Sequence, residues 1–183
     1  ASDVYKRQVL GIALSFGAAF NVQAQEGLEV GVHLGFPVGD ISKTHSFAIG
    51  ADAAYRVEVI DNLKVGGAVA FDHFVGKDVA KNINGNGKDK YANVTYLPLA
   101  ASATYNFTDE FFAGLDLGYA ASLSSDWDGG FYAQPRIGYN FDRFAFSGFF
   151  KSISSKEKYV YEGTNFVNKT TAGVIGIGAA YKF

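Results

Sequence analysis

From Gly27 to the last residue, large apolar side chains recur at every second position in runs of about ten residues, the period of a strand with two unlike faces. The first run sets Leu28, Val30, Val32, Leu34 and Phe36 against Glu29, Gly31, His33 and Gly35. Similar alternation fills 47–58, 63–72, 96–107, 111–123, 131–141, 144–151 and 172–183, with Phe149 breaking the rule in the seventh run. A helical period is absent throughout. The pattern therefore predicts eight strands and an all-β fold.

The connections alternate as well. Ile60-Asp61-Asn62, Thr108-Asp109-Glu110 and Asp142-Arg143 read as tight turns, while 38–46, 74–94, 124–130 and 153–170 read as longer polar loops. Short turns at one end and long loops at the other is the layout of an up-and-down transmembrane barrel, with its turns periplasmic and its loops extracellular. Tyr55-Arg56-Val57, Tyr105-Asn106-Phe107 and Tyr139-Asn140-Phe141 each precede a tight turn, and the chain ends Tyr181-Lys182-Phe183. Tyr55, Tyr105, Phe107, Tyr139 and Phe141 are accordingly expected at one membrane interface, where amphipathic rings favour the headgroup level.

Two facings remain to be weighed: apolar rows outward to lipid, or inward around a ligand as in a soluble lipocalin-like barrel. Composition decides between them. Only 19% of residues are charged, against 22 Gly, 17 Phe and 11 Tyr. The less apolar face is mostly Gly, Ala and Ser with single charges, whereas a water-exposed outer face is rich in large charged residues. Small residues suit the crowded interior of a narrow eight-stranded barrel, so the apolar rows are expected to face lipid.

The residues before the barrel carry a different signal. Lys6-Arg7 precede an apolar run from Val9 to Phe20, followed by Asn21-Val22-Gln23-Ala24-Gln25. That order is a basic region, a short apolar core and a small-residue cleavage site, so 1–24 is expected to be an export signal cut after Ala24, and 25–183 the barrel. The lead-in before Lys6 has no initiating Met. The chain has no cysteine, which excludes a disulfide scaffold, a thiol nucleophile and a Cys-ligated metal. With 16 Lys+Arg against 18 Asp+Glu there is no basic excess for nucleic acid.

The alternating runs, the segment ending Val22-Gln23-Ala24 and the C-terminal stretch together resemble the small outer-membrane β-barrel family of OmpX and the OmpA membrane domain. The resemblance implies an integral protein of the bacterial outer membrane that contacts outer-membrane lipid. It also implies that Ile175, Ile177, Tyr181 and Phe183 form the C-terminal signal read by the outer-membrane assembly machinery. It implies neither cofactor nor enzymatic activity, and a monomer with a structural role or a surface partner met through its loops. A small channel for ions or solutes is the alternative.

By parity Glu29, Asp52, Arg56, Glu58, Lys64, Asp72, Asp116, Arg136, Lys151 and Lys182 face the interior. Enclosed charges are costly unless paired, so this mixture of signs is expected to form a network that fills the lumen. Glu29, Asp52, Arg56, Asp116, Arg136 and Lys182 are its expected members, with Arg56 and Arg136 each bridging acids on adjacent strands. His73 is placed near the outer rim, the one histidine suited to interfacial chemistry, though no Ser and acid accompany it by spacing. The run 82–87 imitates the start of a calcium loop, but its twelfth position is Asn93 rather than Glu. Trp127, flanked by Asp126 and Asp128, is expected to anchor the outer interface.

Overall fold

The computed structural model describes residues 27–78, 90–125, 128–161 and 164–183, with the backbone alone for 156–161 and 164–168. The export signal expected at 1–24, the calcium-like run at 82–87, and Trp127 lie outside the described residues. Among the described residues, eight strands run in chain order: β1 (Leu28–Gly39), β2 (His45–Ile60), β3 (Leu63–Gly76), β4 (Val94–Asn106), β5 (Phe111–Ser122), β6 (Gly130–Phe141), β7 (Phe144–Tyr161) and β8 (Thr164–Lys182). Each pairs antiparallel with its sequence neighbours, and β8 returns to β1 from Glu29↔Lys182 to Gly39↔Ala172, closing the barrel.

Local chemistry explains the short-turn end. Ile60 pairs with Leu63 and Phe141 with Phe144, leaving two-residue turns. Asn62 and Asp142 occupy the left-handed region there (φ 69° and 52°), which their short polar side chains tolerate. In the β4–β5 turn the Thr108 hydroxyl accepts from the backbone N–H groups of Glu110 (3.2 Å) and Phe111 (3.0 Å). The Phe183 N–H donates to the Leu28 carbonyl at 3.0 Å, fastening the last residue beside the first strand.

The long-loop end departs from expectation. The 38–46 segment is mostly strand ends around a single 3₁₀ turn, Asp40–Lys43. β3 continues through Phe74 to Gly76 and β4 resumes at Val94; both Phe74 and Val94 are fully buried rather than part of a loop. The largest correction concerns 153–170, read as a polar loop. β7 and β8 run on through it as a ribbon, paired from Ser155↔Thr170 to Tyr161↔Thr164. β6 leaves β7 at Ser154 and β1 leaves β8 at Ala172, so the ribbon stands beyond its neighbours by roughly 20 Å, at about 3.3 Å per residue.

The two faces separate as the alternation requires. Val32, Phe36, Ile137 and Ile177 are each more than three-fifths exposed on the outside, within a continuous apolar belt. Their neighbours Gly31, His33, Gly35 and Phe149 point inward and are buried. The break in the seventh run is therefore Phe149 turning into the lumen. The ligand-inside alternative is excluded, because the aliphatic rows do not converge on a central cavity.

All three prolines sit within strands, where each lacks a ladder donor. Pairing of β3 with β4 lapses between Val69↔Leu99 and Asp72↔Tyr96, around Pro98; pairing of β6 with β7 lapses between Ala133↔Ser152 and Arg136↔Phe149, around Pro135. Register is the same on both sides of each gap.

Leu115 lies midway along the outer face of β5, 42% exposed. Leu115→Arg is expected to cost about 2–4 kcal/mol on refolding into lipid vesicles, measured by urea titration, the range for a cation at the bilayer midplane. An unchanged midpoint would contradict the facing assigned to this strand.

Candidate functional site

The inward face of the barrel brings seven charged side chains and His33 together in two layers. Nearer the short turns, the Arg56 guanidinium donates from Nη1 to Glu29 Oε2 at 2.8 Å and from Nε to Ser102 Oγ at 2.7 Å. Arg136 donates from Nη1 to Asp116 Oδ2 and from Nη2 to Thr104 Oγ1 at 3.0 Å. The Ser102 hydroxyl donates to the other Asp116 oxygen, which also lies 4.0 Å from Arg56 Nη2. Asp116 is thus shared by both guanidiniums and ties β2, β4, β5 and β6 together. Arg56, Ser102 and Asp116 are buried.

The second layer lies closer to the long loops and centres on His33. Its Nδ1 is 2.9 Å from Asp52 Oδ1 and its Nε2 is 2.6 Å from Asp72 Oδ1. Lys151 Nζ donates to the same Asp72 oxygen and lies 3.2 Å from His33 Nε2. Aromatic faces complete its surroundings, with Lys151 Nζ 5.4 Å from the Phe149 ring centre and 5.9 Å from that of Tyr132. Two carboxylates thus meet one ammonium and one imidazole, a balance that lets such groups be enclosed.

The small residues of the inward face make room for these side chains. A Cβ on Gly50 would fall 2.4 Å from His33 Nε2, and one on Gly114 would fall 2.6 Å from Arg136 Nε. Each glycine sits directly across the ladder from the residue it admits, as Gly50 does from His33 and Gly114 from Arg136. A cavity of about 60 Å³ remains between the layers, bordered by His33, Asp52, Arg56, Asp116 and Arg136. Above the second layer the lumen turns apolar, with Ile41, Phe74, Tyr96, Tyr132 and Ile153 packed together.

The residues singled out in the sequence fall as follows. Glu29, Arg56, Asp116 and Arg136 meet in the first layer. Asp52 faces the lumen but pairs with His33 rather than with either arginine. Lys182, across the ladder from Glu29, donates to the Asn140 carboxamide oxygen at 2.7 Å near the short-turn rim. Parity placed His33, Asp72 and Lys151 inside, yet their meeting joins positions 39 to 118 residues apart, visible only once the register is known. Their ladder partners, Gly50 for His33 and for Asp72, were the available signal.

Tyr105 and Phe107, Phe111 and Tyr139, Phe144 and Tyr181, and Tyr181 and Phe183 make edge-to-face pairs with centroids 5.4, 5.2, 5.4 and 5.0 Å apart. They lie with Tyr55 and Phe141 along the short-turn end. Ile175 and Ile177 continue the outward row of β8, both more than half exposed. His73, near the long-loop end of β3, contacts the Thr95 hydroxyl at 3.0 Å. Asn93, the position where a calcium loop carries Glu, accepts from the Gly76 N–H at 3.0 Å.

No protein-family model matches the chain, and no curated protein matches it in sequence. Among solved structures it is similar to Neisserial surface protein A, at 17% identity over 86% of this chain and 98% of that one, with a TM-score of 0.49. It is also similar to the Yersinia pestis outer membrane protein Ail in a phospholipid bilayer nanodisc, at 15% identity over 85% and 99% of the two chains, TM-score 0.47. A de novo designed transmembrane β-barrel matches at 12% identity over 86% and 97%, TM-score 0.48. Likeness at this level assigns none of their activities to this chain. The class follows from the molecule itself. A closed antiparallel eight-stranded barrel with an apolar outer belt and a charged, filled interior has the build of a transmembrane β-barrel.

Removing one partner of a buried ion pair costs about 3–5 kcal/mol, because the other charge is stranded. Asp116→Ala leaves Arg56 and Arg136 facing each other and is expected to lose that much stability in urea titration. Asp52→Ala, at a side chain 40% exposed, is expected to lose much less. Equal losses at the two positions would contradict the central place given to Asp116.

Proposed function

We propose that this protein is a non-enzymatic integral protein of the bacterial outer membrane, and that its β7–β8 ribbon makes surface contacts outside the cell. The observation that carries this reading is the contrast between the two ends. The barrel stops at turns of two to four residues on one side, whereas on the other a two-stranded ribbon continues past the last pairing with β6 and β1. A filled lumen leaves no wide path for solute, which favours the ribbon as the part available to a partner. The segment at 1–24 serves as the export signal, and Ile175, Ile177, Tyr181 and Phe183 as the row read during assembly into the membrane. The Tyr and Phe pairs at the short-turn end sit at the periplasmic interface, where such rings are favoured.

The reading is tested by an epitope inserted between Tyr161 and Thr164 in the full chain expressed in a Gram-negative host. Antibody is expected to bind intact cells, with the protein migrating on gels in a heat-modifiable manner. Detection only after the outer membrane is permeabilised would reverse the orientation, and extraction by buffer alone would contradict the membrane location. Deleting Phe183 is expected to lower the amount inserted; unchanged surface abundance would count against the assembly role.

A further inference from the structure

The lumen is closed through both ion-pair layers and the apolar cluster, and opens only at the short-turn rim. Phe74 and Val94 are wholly enclosed, and Asp72, Tyr96, Lys151 and Ile153 are each 1% exposed. Toward the short turns the inward-facing Lys64, Thr104, Asn140, Ala180 and Lys182 are all partly exposed. Polar character divides along the same axis. The ion-pair layers fill the lumen from the turn side to its middle, and an apolar cluster drawn from most of the strands and from the 3₁₀ turn closes the long-loop end. Within the cluster Phe74 packs edge-to-face on Tyr96 at 5.7 Å and on His45 at 6.2 Å.

These two regions oppose an ion differently. The ion-pair layers offer replacement ligands for a hydration shell and border a cavity of about 60 Å³. The cluster offers few, its ring and aliphatic groups dominating, and a constriction lined by such groups excludes ions by excluding water. One further atom fits this division. The Oδ2 of Asp72 is buried and has no hydrogen-bond partner among the described residues, so its satisfaction calls for water rising to the foot of the cluster.

We infer that the permeability seal of this barrel is the apolar cap around Phe74, Tyr96, Tyr132, Phe149 and Ile153, and that the packed charged lumen beneath it exchanges water and small solutes only with the short-turn side. The ion pairs hold the strands together; they are not the gate. This goes beyond the surface role proposed above and rests only on the chain spanning a bilayer, which heat-modifiable migration verifies separately.

The chain has no cysteine, so single replacements report without background. In lipid vesicles of known orientation, Ala180→Cys is expected to react with a small charged thiol reagent added at the short-turn side and not at the long-loop side. Ala120→Cys, within the cap, is expected to be protected from both. Reaction of Ala120→Cys from either side, or of Ala180→Cys from the long-loop side, would overturn the proposal. In planar bilayers, Tyr132→Ala combined with Phe149→Ala is expected to give steady conductance steps, while Arg136→Gln stays silent. Conductance in Arg136→Gln, or a silent but heat-modifiable cap variant, would place the seal at the ion pairs instead.

Discussion

Every other feature of this molecule depends on the need to satisfy backbone N–H and C=O groups without water. In hydrocarbon each unpaired group costs several kcal/mol, so a sheet that enters a bilayer must close on itself. The return of β8 to β1 does this, and the Phe183 N–H bonded to Leu28 completes it at the last residue. Closure then divides the side chains into two environments. An outward residue meets lipid and an inward one meets the other strands, and strand geometry alternates them, interrupted at the irregularities near both ends of β2. Even the prolines are tolerated on these terms: Pro98 and Pro135 each interrupt one ladder over a short gap without shifting its register.

Charge inside such a barrel is then a packing problem as much as an electrostatic one. Arg136 has space because Gly114 stands across from it, and His33 has space because of Gly50. The result is specific linkage between strands distant in sequence, with Asp116 joining two arginines and Asp72 joining His33 to Lys151. The network and the apolar cap above it do different work. One fastens the strands, the other excludes water.

Much of this was legible in the sequence because one physical signal, alternation, survives wherever one face meets lipid. It located all eight strands and the facing of Leu115, Ile137 and Ile177. It failed where that contrast disappears. The strand ends paired from Ser155↔Thr170 to Tyr161↔Thr164 extend past the pairing with β6 and β1, where no apolar row marks them in the sequence, so 153–170 reads as loop. Their Tyr, Val, Thr and Phe content, with Glu162-Gly163 as a turn signal between the halves, was the clue to a ribbon. Phe74 and Val94 were lost for another reason: an apolar residue pointing into the lumen breaks the very parity used to find the strand. Pairing inside the barrel was only half legible. Parity places a charge within, but partner choice depends on register, which sent Asp52 to His33 and Lys182 to Asn140.

The account stands on which face of the strands looks into hydrocarbon. The most direct measurement is a nitroxide scan of β4 in lipid vesicles, with single cysteines at positions 99 to 104 and collision rates against oxygen and a water-soluble nickel complex. Leu99, Ala101 and Ala103 are expected to show high oxygen and low nickel accessibility, alternating with Ala100, Ser102 and Thr104. The reverse alternation, or no alternation, would contradict it.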